Sequence, residues 1–217
     1  MKNAVICFTR VPRPGQTKTR LMPHLTGDQC AALHWAFLRD LSEIYRALDA
    51  DLFVAHTPDP DWGSLQSVFP TARFFPQEGS GLGEKMDHAL NTVLAVGYEK
   101  VVLTGSDLPL MTADHLRSGF HALENADIAL GPTADGGYYL VGVKEPSPFL
   151  FENQTYGRGS VFENTAAAAR AAGKTVAPAP PCDDVDTPED LRKLNSLSPD
   201  SHTARYLSTL HVIPSEV

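Results

Sequence analysis

Apolar residues fall along this chain in two alternating patterns. Short unbroken runs at Val5–Phe8, Leu52–Ala55, Val101–Thr104, Ile128–Leu130 and Tyr138–Val143 are separated by stretches with apolar residues every three or four positions. An unbroken run bounded by turn residues reads as a strand buried on both faces; the three-to-four spacing reads as a helix with one buried face. The spacing predicts helices over Cys30–Leu48 (Leu33, Phe37, Leu38, Leu41, Ile44, Tyr45, Leu48), Glu84–Val96 (Met86, Ala89, Leu90, Val93, Leu94), Thr112–Glu124 and Ser160–Ala172. A short helix over Ser64–Val68, an extended piece at Ala72–Phe75 and a strand at Thr175–Ala177 complete the elements. Thr26-Gly27-Asp28-Gln29 fits a capping box, in which threonine caps and glutamine reaches back. Thr112 is placed to cap its own helix. Thr187-Pro188-Glu189-Asp190 reads as a further helix start, with cap, proline and two acids in order.

Strands alternating with helices to about Asn195 imply an α/β fold: one mostly parallel sheet with helices on both faces. The expected division is a single Rossmann-like domain over 1–197. A polar tail occupies 198–217, with room for a short helix near Ala204–Leu210. Composition agrees: 217 residues suit one domain, 42% apolar residues supply a core, and 20% charged residues do not read as disordered. Eighteen basic against 26 acidic side chains leave −8, which argues against a nucleic-acid binder while allowing a local phosphate site. Cys7, Cys30 and Cys182 are odd in number and lack metal or disulfide spacing, so a reducing cytoplasm is expected. No stretch approaches the roughly 18 apolar residues of a membrane span, and the run after Met1 is too short for a signal peptide.

In such sheets ligands sit beyond the carboxyl ends of the strands, which selects the loops Arg10–Arg20, Gly79–Lys85, Gly105–Pro109 and Pro132–Gly137. Arg10-Val11-Pro12-Arg13-Pro14-Gly15-Gln16-Thr17-Lys18-Thr19-Arg20 places four cations directly after the first strand. Proline and glycine keep such a loop open, while lysine and arginine suit phosphate oxygens. It matches neither a Walker loop nor a dinucleotide fingerprint. Gly79–Gly83 leads into a helix N-terminus at Glu84-Lys85, either an anion site or a plain surface loop. Asp107 in Gly105-Ser106-Asp107-Leu108-Pro109 ends the most apolar strand. It is placed to hold a hard cation or to cap a turn. Asp135-Gly136-Gly137 would form a tight hairpin or a close approach to a ligand. Asp183-Asp184-Val185-Asp186 offers a second metal ligand or a solvated acidic loop. The eight histidines show no zinc spacing and read as surface or core filler, and no nucleophile motif stands out.

Taken in order, these segments resemble the nucleotide-diphospho-sugar transferase (GT-A-like) superfamily, and most closely its bacterial glycosyltransferase-like proteins. The likeness rests on Pro14-Gly15-Gln16-Thr17-Lys18-Thr19-Arg20-Leu21, Leu82-Gly83-Glu84-Lys85-Met86, Gly105–Pro109, Gly131–Leu140 and Asp184–Leu191, and covers about 2–195. The superfamily also holds guanylyltransferases acting on molybdenum cofactor and on phospholactate. The resemblance implies a transferase using Mg²⁺ or Mn²⁺, with Asp107 and Asp186 as metal ligands. Arg10, Pro14, Gly15, Lys18, Arg20, Gly83 and Lys85 would bind nucleotide phosphates. Asp135, Gly136 and Gly137 would face the second substrate, and Asp107, Lys18 and Asp135 would serve catalysis. Many glycosyltransferases of this superfamily carry Asp-x-Asp, whereas Gly105-Ser106-Asp107 supplies one carboxylate, which is closer to the nucleotidyltransferase pattern.

The resemblance leaves three expectations for function. The first is transfer of a glycosyl group from a nucleotide-diphospho-sugar to a small acceptor. The second is nucleotidyl transfer from a nucleoside triphosphate to a phosphate-bearing substrate, with release of pyrophosphate. The third is a nucleotide-binding protein without catalysis.

Overall fold

The computed structural model describes residues 2–157 and 159–210. Residues 211–217 of the expected tail lie outside the described residues. The described residues form seven strands and five α-helices: β1 (Asn3–Thr9), α1 (Gly27–Arg46), β2 (Asp51–His56), β3 (Arg73–Pro76), α2 (Leu82–Ala95), β4 (Lys100–Thr104), α3 (Ala113–Asn125), β5 (Ile128–Pro132), β6 (Tyr138–Val143), α4 (Val161–Ala171), β7 (Val176–Pro178) and α5 (His202–Thr209). They form one sheet of order β3-β2-β1-β4-β6-β5-β7. All pairs are parallel except those of β6, which runs antiparallel to both β4 and β5. The reversal is imposed by the loop 133–137, too short for a crossover helix. It brings the tip of the β5–β6 hairpin to the edge where β1 and β4 end.

Along β1, side chains alternate between two cores, as a strand's two-residue repeat requires. Val5 and Cys7 face Leu38, Leu41 and Tyr45 of α1 and Leu116, Phe120 and Leu123 of α3. Ala4 and Ile6 face Met86, Leu90 and Val93 of α2 and Ala166 and Ala169 of α4. A third core joins Leu21, Leu25, Leu33 and Phe37 to Val185, Leu191 and Leu194. This last core fastens the loop after β1 to the acidic segment near the carboxyl end of the chain.

The expected capping box at Thr26 forms. Thr26 Oγ1 accepts from the Gln29 N–H at 3.2 Å, and Gln29 Oε1 accepts from the Thr26 N–H at 2.8 Å. At α3, Thr112 has the partner His115, whose Nδ1 accepts from the Thr112 N–H at 3.1 Å. Two expected short helices are 3₁₀ turns, over Trp62–Ser67 and Glu189–Ser196. Thr187 does not cap the second. Asp190 Oδ2 accepts from the backbone N–H groups of Asp186 and Thr187 and from the Thr187 hydroxyl, so the acid rather than the threonine closes the turn. Helix α5 lies against α1: Asp40 accepts from the N–H groups of His202 at 2.7 Å and Thr203 at 3.0 Å, the donors a helix N-terminus leaves free. Among the described residues no helix is long and apolar enough to cross a membrane.

Candidate functional site

The site is built from the ends of β1 and β4, the hairpin tip and the acidic segment. After β1, the loop is pinned by Arg13, which turns away from the cleft. Its guanidinium bonds Asp59 at 2.7 and 2.5 Å and Asp61 at 2.6 Å, and it holds the Asp59 carboxyl down at about 2. Arg13 therefore anchors the loop to the segment after β2, leaving Arg10, Lys18 and Arg20 as the cleft's cations. Pro14 and Gly15 shape the loop from outside. Gly15 has φ +72, and a Cβ on Gly27 of α1 would lie 2.7 Å from its nitrogen.

Lys18 adopts left-handed backbone angles (φ 52, ψ 40), which cost a non-glycine residue about 1–2 kcal/mol and persist only where surrounding contacts impose them. The contacts are plain. Its Nζ donates to the Val185 carbonyl at 2.5 Å and to Asp186 Oδ1 at 2.8 Å, and lies 2.5 Å from Asp107 Oδ1. The side chain is 2% exposed. Burial works against the Asp107 carboxylate, but Lys18, backed by His34 and Arg10, outweighs it and holds that acid below the usual carboxylate range. Asp184, beside them, moves the other way: burial first, then the charges of Asp186, Asp135 and Asp107, push it up. Arg20 stands at the rim, 3.9 Å from Asp186 and largely exposed.

Sequence reasoning passed over His34 as filler. It sits on the buried face of α1, with Nε2 3.2 Å from Ser106 Oγ and 3.4 Å from Asp107 Oδ1. Burial pushes the imidazole down to about 4, so the ring is neutral at pH 7. Its Nδ1 is buried without a partner, which suits a bare lone pair and puts the single N–H on Nε2, toward Ser106 and Asp107. Thr9 Oγ1 donates to the same Ser106 hydroxyl at 2.9 Å, tying β1 to the turn after β4. A lone histidine at helical spacing carries no signal of this in the sequence.

Two cavities meet at the acid pair. The smaller, about 230 Å³, is lined by Arg10, the segment Gln16–Arg20 and His34. The larger, about 400 Å³, is lined by Phe8, Met86, Tyr138, Tyr139 and Tyr156 with Asp135, Gly137 and Asp184. Arg20, Asp107 and Asp186 border both. Asp135 Oδ1 accepts from the Thr133 hydroxyl at 2.5 Å and the Gly137 N–H at 3.0 Å, so this carboxylate braces the hairpin tip while facing the cavity. Gly136 has φ +84, and a Cβ there would stand 2.3 Å from the Gly159 carbonyl oxygen. Gly83 is packed against Phe151 and the Tyr156 hydroxyl, and its neighbour Leu82 reaches the cavity. Pro14, Gly15, Gly83 and Lys85 are not among the residues lining either cavity.

The donor set suits a hard divalent cation. Asp107 and Asp186 turn one oxygen each toward a single point, where an ammonium now sits. Among the described residues no group of three or more metal-ligating side chains forms. Two carboxylates, completed by water and phosphate oxygens, are what Mg²⁺ ordinarily takes in phosphate-handling sites.

The family model described as "Uncharacterized protein conserved in bacteria (DUF2064)" matches residues 40–158, and the chain belongs to this family. It is similar to a crystal structure from Desulfovibrio desulfuricans G20 described as a nucleotide-diphospho-sugar transferase. The two are 33% identical with a TM-score of 0.90, over 96% of this chain and 95% of that one. It is also similar to the phosphoenolpyruvate guanylyltransferase of Sphaerobacter thermophilus, 28% identical over 199 residues, 89% of this chain and 94% of that protein. The 2-phospho-L-lactate guanylyltransferase of Methanocaldococcus infernus is 25% identical over 208 residues, 90% of this chain and 86% of that protein. The expected fold and superfamily are borne out, and the protein is a transferase.

Proposed function

We propose that this DUF2064 protein is a nucleotidyltransferase that joins a nucleoside triphosphate to a small phosphate-bearing substrate and releases pyrophosphate. The carrying observation is the meeting of Asp107 and Asp186 beside a cationic loop at the ends of β1 and β4. Similarity to two guanylyltransferases over about nine tenths of the chain supports nucleotidyl over glycosyl transfer.

In this reading the triphosphate lies in the smaller cavity, flanked by Arg10 and Arg20. The second substrate lies in the larger one, against the hairpin tip at Asp135–Gly137 and the tyrosines. An oxygen of the acceptor phosphate attacks the α-phosphorus; the bond to the bridging oxygen breaks, and pyrophosphate leaves with its electrons. A phosphate monoester is largely ionised at pH 7, its second pKa being about 6. It needs no strong general base, and Asp135 then shapes the acceptor pocket rather than moving a proton. Asp107 and Asp186 would hold Mg²⁺ or Mn²⁺, which supplies charge neutralisation for the triphosphate and the leaving pyrophosphate. The Nε2–H of His34 keeps Asp107 aimed at the cation point. A cytoplasmic setting, where nucleotides are at hand, suits three buried, unpaired thiols.

The test is pyrophosphate release by the purified protein with Mg²⁺, each of the four ribonucleoside triphosphates, and phosphoenolpyruvate or 2-phospholactate. Release that requires both a triphosphate and a phosphate-bearing acceptor is the expected result. Glycosyl transfer is the second reading, favoured by the likeness to the Desulfovibrio protein. It would instead liberate a nucleoside diphosphate from a nucleotide-diphospho-sugar, with no pyrophosphate.

A further inference from the structure

The Lys18 ammonium is already engaged. It donates two hydrogen bonds, to Asp186 Oδ1 and the Val185 carbonyl, and is ion-paired with Asp107 Oδ1 at 2.5 Å. The side chain is buried, and its charge sits at the point on which the two carboxylates converge. Those carboxylates are the pair that would hold a divalent cation in the proposed reaction, and the exchange inferred for Lys18 rests on that reading.

We infer that Lys18 and the divalent cation are alternative occupants of one position: Lys18 is the acid pair's resident counter-ion, and it yields to the metal by turning its ammonium toward the triphosphate. Three observations carry this. First, the oxygens that would ligate the metal are the ones that Nζ holds, and a dication beside a fixed ammonium meets strong repulsion in a partly buried site. Second, four carboxylates crowd here: Asp107, Asp135, Asp184 and Asp186. All four line one cavity and Lys18 is ion-paired with two of them, so its ammonium offsets the crowded negative charge. Third, the ammonium has somewhere to go. The 230 Å³ cavity beside it is lined by Arg10, Gln16, Thr17 and Lys18 itself, and a lysine stem is flexible while its backbone stays in place. A static structural salt bridge would predict no exchange. Exchange makes metal and triphosphate bind cooperatively, because the triphosphate rewards the ammonium that the metal displaces.

The test is binding rather than turnover. Mn²⁺ alone is titrated into the wild-type protein and into Lys18→Met, with free Mn²⁺ read by its paramagnetic resonance signal. The expected result is that Lys18→Met binds Mn²⁺ about tenfold or more tighter than wild type, while its affinity for GTP falls. Equal or weaker Mn²⁺ binding in Lys18→Met overturns the inference and leaves the acid-pair reading standing. Mn²⁺ binding that is absent from both proteins, even with GTP present, overturns the metal reading as well. Should Lys18→Met fail to fold, the wild-type protein decides. Its Lys18 ammonium signal in ¹⁵N spectra, assigned with Lys18→Arg, should shift or vanish at saturating Mg²⁺; a signal that does not move overturns the inference.

Discussion

Val185 donates its backbone N–H to the carbonyl oxygen of Asp107 at 2.9 Å. Through this bond the acidic segment is laid along the turn after β4, and the spacing of the Asp107 and Asp186 carboxylates is set by main chain before any side chain acts. Val185 is itself buried in the core that holds Leu21 and Phe37. The segment is therefore held from both sides, by a backbone bond at the site and by apolar packing behind it.

If this pair is the centre of the reaction, isosteric removal of either charge should slow turnover sharply while sparing the fold. Asp107→Asn and Asp186→Asn are each expected to lower the initial rate by roughly 10²–10³, the usual effect of losing one group that meets developing phosphate charge. Initial rates and a circular-dichroism melt decide. Near-normal turnover in a folded Asp107→Asn would end the proposed role.

His34 separates a positioning role from mere filling of the core. His34→Leu removes the N–H that faces Ser106 and Asp107 and should lower turnover by about 10–100-fold, as outer partners of metal-binding carboxylates do. His34→Gln keeps an N–H at a similar reach and should recover most of that loss, with the KM for the triphosphate little changed. Equal defects in the leucine and glutamine variants would show that packing, not the N–H, matters.

The hairpin tip is a backbone demand. Gly136→Ala places a side chain at φ +84 and drives its Cβ toward the Gly159 carbonyl, 2.3 Å away. A loss of about 1–3 kcal/mol in urea denaturation is expected, together with a raised KM for the acceptor. An unchanged midpoint would show that the loop rearranges freely.

Thiol chemistry reports the intact core. Burial pushes Cys7 and Cys182 each up to about 12, with nearby aspartate charges adding to the effect. At pH 8 only about one in ten thousand of either is thiolate, the reactive form. Native protein should leave both unreacted with a disulfide reagent over minutes, whereas denatured protein should react at all three cysteines. Fast reaction at Cys182 in the native state would mean that the acidic segment opens.

Much of the architecture is legible in the chain because burial imposes periods. The run Val101-Val102-Leu103-Thr104 becomes central strand β4 because a strand covered on both faces has no polar alternation to keep. The helix over Cys30–Leu48 becomes α1 (Gly27–Arg46), with ends shifted by a few residues because Gly27 and Asp28 fit the first turn behind the Thr26 cap. The antiparallel turn from β5 into β6 was legible at Asp135-Gly136-Gly137, which reads as a tight hairpin, but the insertion of β6 beside β4 was not: its apolar run is the same whichever neighbour it meets. Nor was the 3₁₀ character of Glu189–Ser196, where the choice between helix types rests on Asp190 taking the donors expected of Thr187.

The candidate site divides along the same line. By itself the sequence determined the fold class, the loops at the strand ends and the acids within them, because these arise from local pattern and from the rule that such sheets bind ligands at one edge. Only the tertiary structure decided which charges meet. It sends Arg13 to Asp59, Lys18 to Asp107 and Asp186, and buried His34 to Ser106. The physical reason is that pairing depends on distance in space, which is set here by one apolar core and one backbone hydrogen bond joining segments remote in the chain.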